Sequence, residues 1–242
     1  SAYPFSVFYS AAYTESLFLL GTIGACLAFE RERWVAAALF GLLVGLTRPN
    51  GCLLSVTLAI LACAPLFVRT AHRSTLGLVR RLAVAAMPGI GLLIHSAYIY
   101  MLTGDAFAWA SVQQAWGRNL QSSREYVQWT TRALSDQGVL FWVESAPLQI
   151  LQTIAALFAL AMVWPVWRRL GPAYAVLVLA NVLPPLLKGG VLSMGRLTST
   201  LFPVFAALAL SLPPNRRDAW VLLFALGQAL VAVLFFTWRP LY

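Results

Sequence analysis

With 242 residues, 60% of them hydrophobic and only 10% charged, the chain is too apolar for a soluble domain built on one core, and it reads as an integral membrane protein. The net charge of +9 comes almost wholly from arginine, with Lys188 the sole lysine, and the arginines sit in short runs between apolar segments. That placement excludes the single basic face of a nucleic-acid binder and points to anionic lipid head groups as partners. Cys26, Cys52 and Cys63 are scattered through apolar sequence, and His72 and His95 lie far apart, so neither a metal site nor a bound cofactor is expected.

The chain opens Ser1-Ala2-Tyr3-Pro4 with no methionine, basic leader or cleavage motif, so no signal peptide is visible and its beginning reads as missing. About 20 apolar residues are needed to cross about 30 Å of hydrocarbon. Runs approaching or reaching that length lie at 10–29, 34–47, 51–68, 82–102, 147–167, 173–187, 197–212 and 219–238. They predict an all-α fold: a polytopic transmembrane helical bundle of about eight helices, forming one transmembrane domain over 1–242. The second and sixth runs are short, which suits a broken or tilted helix.

Between the fourth and fifth runs, 103–146 is of mixed polarity. There Trp109, Val112, Trp116 and Leu120 recur at helical spacing, with Ser111, Gln114 and Arg118 largely off the stripe, and Asp105 is placed to cap the first turn. One reading is an amphipathic connector lying in the membrane interface. The other is that Gln113, Trp116 and Arg118 line a site for a polar head group carried on a lipid.

Arginine placement sets an orientation. Arg31, Arg33, Arg69, Arg73, Arg80, Arg81, Arg168, Arg169, Arg216 and Arg217 fall in short loops on one side, which the positive-inside rule makes cytoplasmic. In the first of these loops, Glu30-Arg31-Glu32-Arg33 can pair locally. The other side, facing the periplasm, the exterior or a lumen, holds the unusual polar residues: Glu15, Arg48, Asn50, Asp105, Gln113, Arg118 and Arg196, all at or near helix ends.

Glu15, in Tyr13-Thr14-Glu15-Ser16, either favours the positive end of a helix dipole or serves as an acceptor for a substrate hydroxyl or a partner for an arginine. Thr47-Arg48-Pro49-Asn50-Gly51 is a re-entry turn in which Arg48 also has the rigid fork of donors that grips a phosphate. Lys188-Gly189-Gly190 and Arg196 suit either an anion cradle or a snorkelling anchor. His95 reads as a hydrogen-bonded neighbour inside the bundle, and Glu125, Asp136 and Glu144 as solvated acids.

Four collinear stretches resemble the glycosylphosphatidylinositol mannosyltransferase II (PIG-V-like) family, in particular its bacterial members. They are Pro4-Phe5-Ser6-Val7-Phe8-Tyr9-Ser10-Ala11-Ala12-Tyr13-Thr14-Glu15-Ser16-Leu17-Phe18, Leu46-Thr47-Arg48-Pro49-Asn50-Gly51, Gly104-Asp105 through Gln113, Trp116, Gly117 and Arg118, and Arg196 with Phe202-Pro203-Val204-Phe205. The resemblance implies a GT-C architecture and transfer of a sugar, typically mannose, from a polyprenyl-phosphate donor to a glycolipid or glycan acceptor. The reaction would occur on the outer face of a bacterial plasma membrane, or on the lumenal face of the endoplasmic reticulum in a eukaryote. The lipid-linked sugar is a substrate, and no cofactor is implied. The family's general base is an acid in the first outer loop, which is expected upstream of residue 1, on a missing segment or a partner chain; the catalytic base is therefore unassigned. Arg48, Arg118 and Arg196 become candidates for the departing phosphate, Gln113 and Trp116 for sugar contacts, with Glu15 and Asn50 beside them. A lipid or solute transporter and a non-catalytic GT-C-like subunit are the competing readings.

Overall fold

The computed structural model describes residues 2–67, 75–115 and 120–237. It is 87% helical, with no strand among the described residues. A short 3-10 helix, Pro4–Tyr9, leads into α1 (Glu15–Glu30), α2 (Trp34–Thr47), a 3-10 turn at Pro49–Leu53 and α3 (Leu54–Cys63). Next come α4 (Thr75–Ala85) and α5 (Met87–Thr103), and then α6 (Ala108–Ala115), α7 (Leu120–Arg132) and α8 (Gly138–Ser145), which carry the stretch of mixed polarity. The bundle is completed by α9 (Pro147–Leu170), α10 (Pro172–Gly189), α11 (Met194–Ser199), α12 (Phe202–Ser211) and α13 (Pro214–Phe236).

Every apolar run expected to cross the membrane contains helix among the described residues, but the lengths divide them. Four helical stretches are long and apolar enough to cross: Pro49–Leu66, Thr75–Thr103, Pro147–Leu170 and Pro214–Phe236. Trp34–Thr47, Pro172–Lys188 and Phe202–Ser211 are apolar but shorter, and α1 has 16 residues.

Local chemistry explains the ends. Arg48 is extended, at φ −152°, because the ring of Pro49 crowds the helical region of the residue before it, and α2 stops there. Gly104 ends α5 with φ +75°, its amide reaching the Tyr100 carbonyl at 2.8 Å. Asp105 Oδ1 then accepts from the Phe107 amide at 2.8 Å, one turn before α6. The run 197–212 is split in two. Thr198, Ser199 and Thr200 turn their hydroxyls back onto carbonyls three residues earlier, and α12 restarts with Pro203 in its first turn.

Small residues set the closest approaches. Gly41 and Gly45 lie one turn apart on α2 and face Pro88 and Gly91 of α5; a Cβ at Gly45 would run into the Pro88 carbonyl. Helix pairs inside a bilayer gain from such close backbone packing, since the lipid offers no hydrophobic drive for association. The main core joins Phe18, Phe29, Val44, Leu58, Val178, Met194 and Val204. A second, aromatic cluster gathers Tyr3, Phe5, Phe8, Ala155 and Val231, where the Pro4–Tyr9 helix is held against α13 and α11.

The bundle has two polar ends. At one, Arg81 pairs with Glu32 at 2.7 Å, Arg80 and Arg81 sit over the Trp34 ring, and the Tyr174 hydroxyl donates to Glu30 at 2.6 Å. This corrects the expected local pairing within 30–33. Glu32 adopts φ +56° in the reversal between α1 and α2 and its carboxylate meets α4, while Glu30 is taken by α10.

Candidate functional site

At the opposite end, α1 begins on Glu15, whose side chain is 1% exposed. Its first-turn position favours a carboxylate, yet burial of an unpaired charge there is costly. Two cations answer it. Arg48, at the end of α2, donates Nη1–H to Glu15 Oε1 at 2.9 Å, and Arg196 Nε lies 3.1 Å from the same oxygen. Both arginines are largely buried, at 13% and 16% exposure. Glu15 Oε2 has no hydrogen-bond partner among the described residues. Glu15 thus stands both in the first turn of α1 and as a partner to two arginines.

Aromatic rings surround the cations. The Arg196 guanidinium lies 5.2 Å from the Tyr13 ring centre and 5.9 Å from that of Phe8, and Arg48 lies 5.7 Å from that of Phe18. Such faces attract a cation and keep water from it. Among the described residues one carboxylate thus meets two guanidiniums, and the forked donors of arginine match phosphate oxygens.

The short helix α11 that carries Arg196 is tied from several sides. The Gly195 amide donates to Gln152 Oε1 of α9, the Tyr9 hydroxyl donates to the Ser199 carbonyl, and Tyr3 and Thr198 share a hydrogen bond of 2.9 Å. Gly195 is required here because a side chain would overlap the Phe5 ring. Asn50 acts as a positioning residue. Its Nδ2 donates to Asn181 Oδ1 at 2.9 Å, and Asn181 donates in turn to the Leu177 carbonyl. The turn that follows Arg48 is thereby fastened to α10.

The other expected residues divide. Trp116 and Arg118, and the side chain of Gln113, lie outside the described residues. The start of their amphipathic stretch is anchored by Trp109, whose indole N–H donates to Ser96 Oγ at 3.0 Å. Lys188 is exposed in the last turn of α10, and His95 is half-buried on α5. Sequence reasoning misses Tyr9, Gln152 and Asn181; the signal for the latter two is an amide inside an apolar run, which needs a partner in hydrocarbon.

Beside this cluster, a groove of about 590 Å³ follows one face of α1, from Tyr9 and Ser16 to Arg31 and Arg33. Comparison with protein-family models, with curated proteins and with solved structures finds no match to this chain.

Proposed function

We propose that this chain belongs to a GT-C-type membrane glycosyltransferase that moves a sugar, in the first instance mannose, from a polyprenyl-phosphate donor to a lipid-linked or glycan acceptor. In this reading all eight apolar runs cross a bacterial plasma membrane and the Glu15 end faces outward. The supporting observation is the meeting of Arg48 and Arg196 on one oxygen of Glu15, at the end remote from Arg31, Arg33, Arg80 and Arg81. A lipid phosphate is an anion that reaches such a place from within the membrane, and its oxygens suit the forked donors of the two arginines.

The chemistry then asks the chain to hold the leaving group. As the glycosidic bond to phosphate lengthens, charge builds on the phosphate oxygens, and cations fixed beforehand stabilise it without reorganising. Arg48 and Arg196 supply those cations, Glu15 keeps them aligned, and Asn50 fixes the turn behind Arg48. Gln113 and Trp116 are proposed for the sugar and Arg118 for the phosphate. Attack from the opposite side of the anomeric carbon inverts its configuration, with a base taking the acceptor's hydroxyl proton; no residue of this chain is assigned as that base.

The test is transfer from labelled polyprenyl-phosphate mannose in membranes carrying the protein. Arg196→Ala and Arg48→Ala are expected to lower transfer by about 100-fold or more, the scale of losing a fixed charge-stabilising donor. Undiminished transfer in both variants discards the reading, and donor-dependent flux without transfer favours a transporter.

A further inference from the structure

The groove along α1 has a mouth that the proposed reaction does not use. Leu20, Ile23 and Leu27 line its apolar wall, and Arg31 and Arg33 line one end. Both arginines are exposed, and neither has an ion-pair partner among the described residues. The acids beside them in sequence are engaged elsewhere: Glu30 accepts from Tyr174, and Glu32, held at φ +56°, pairs with Arg81. Two arginines without an ion-pair partner among the described residues therefore stand at one end of a slot with no other charged residue in its lining.

We propose that this slot binds one anionic glycerophospholipid from the arginine-rich leaflet, with its head-group phosphate on Arg31 and Arg33 and one acyl chain against Leu27, Ile23 and Leu20. Dimensions agree. From Arg31 to Leu20 the helix rises about 16 Å, which matches an acyl chain that fills one leaflet, about 15 Å of hydrocarbon. Gly24 lets the Phe40 ring form the floor, because a Cβ there would come within 2.8 Å of that ring. Charge selects the head group, and the apolar wall holds the tail. The inference is independent of the glycosyl-transfer reading, since it uses the other end of the bundle.

Native mass spectrometry of the detergent-extracted protein, titrated with palmitoyl-oleoyl phosphatidylglycerol or phosphatidylcholine, tests it. The protein is expected to retain one phosphatidylglycerol in preference to phosphatidylcholine. R31A/R33A together should weaken that retention about 30-fold, twice the attraction of one arginine to an anionic head group. R168A/R169A, at the same end but outside the groove, should leave it within about twofold, on the same scale. Ile23→Trp, which blocks the chain slot and keeps both charges, should also weaken it, and serves if the double variant does not fold. Equal retention of the two lipids overturns the proposal, as does equal loss in both arginine pairs, or a lipid-free dimer that covers the groove with a second copy.

Discussion

Glu15 Oε1 is the point on which two cations depend. Removing it takes from Arg48 and Arg196 the carboxylate they share, in a site where their exposures are 13% and 16%. Breaking a buried ionic cluster at its shared member typically costs about 3–5 kcal/mol, so Glu15→Ala is expected to unfold in detergent at a clearly lower temperature. Arg48→Ala should cost less, because Glu15 keeps Arg196. Thermal unfolding followed by size-exclusion chromatography separates the two, and equal losses would contradict the shared-oxygen geometry. At this scale the sequence is partly legible. Glu15, Arg48 and Arg196 stand out because a charge inside apolar sequence is expensive, but nothing in their spacing says that all three meet on one atom. Asn181 is easily passed over inside an apolar run, although its amide is what holds Asn50.

Elements are governed by where side chains are missing. α2 and α5 touch backbone to backbone at Gly45 and Pro88, so Gly45→Ala should push the helices apart at a cost of about 1–3 kcal/mol, the usual penalty for overpacking. Gly195→Ala should be comparably harmful through Phe5, and adding Phe5→Ala should recover part of the loss. A double-mutant cycle on thermal stability checks that coupling; strict additivity would mean the two residues do not press on each other. Hydropathy makes the apolar runs readable, since each contains helix in the fold. It does not show that 197–212 breaks after Ser199: Leu197, Leu201 and Phe202 continue the apolar pattern, and the interruption comes from hydroxyls bonding back to the chain. Hydropathy also starts the first run at 10, whereas α1 begins at Glu15, because Ala11, Ala12 and Tyr13 look apolar while forming a bend.

For the molecule as a whole, the cluster of Glu32, Arg80 and Arg81 and the Glu15 cluster lie at opposite ends of α1 and α2. Topology is directly measurable. In a variant with Cys26, Cys52 and Cys63 replaced, Asp136→Cys is expected to react with a membrane-impermeant thiol reagent applied to intact cells, and Asn215→Cys only after permeabilisation; both positions are exposed. The reverse pattern would turn the bundle over and remove the outward-facing site.

The Pro4–Tyr9 helix bears on how the protein is made. Tyr3 packs on Phe224, Phe8 on Phe235, and Pro4 beside Gly227. A ribosome adding about 5–20 residues per second needs on the order of ten seconds or more to reach those partners after the first of these residues has emerged. Phe8, which shields Arg196, is therefore seated only when α13 arrives, so the cation pair stays open on that side until more than two hundred further residues have been made.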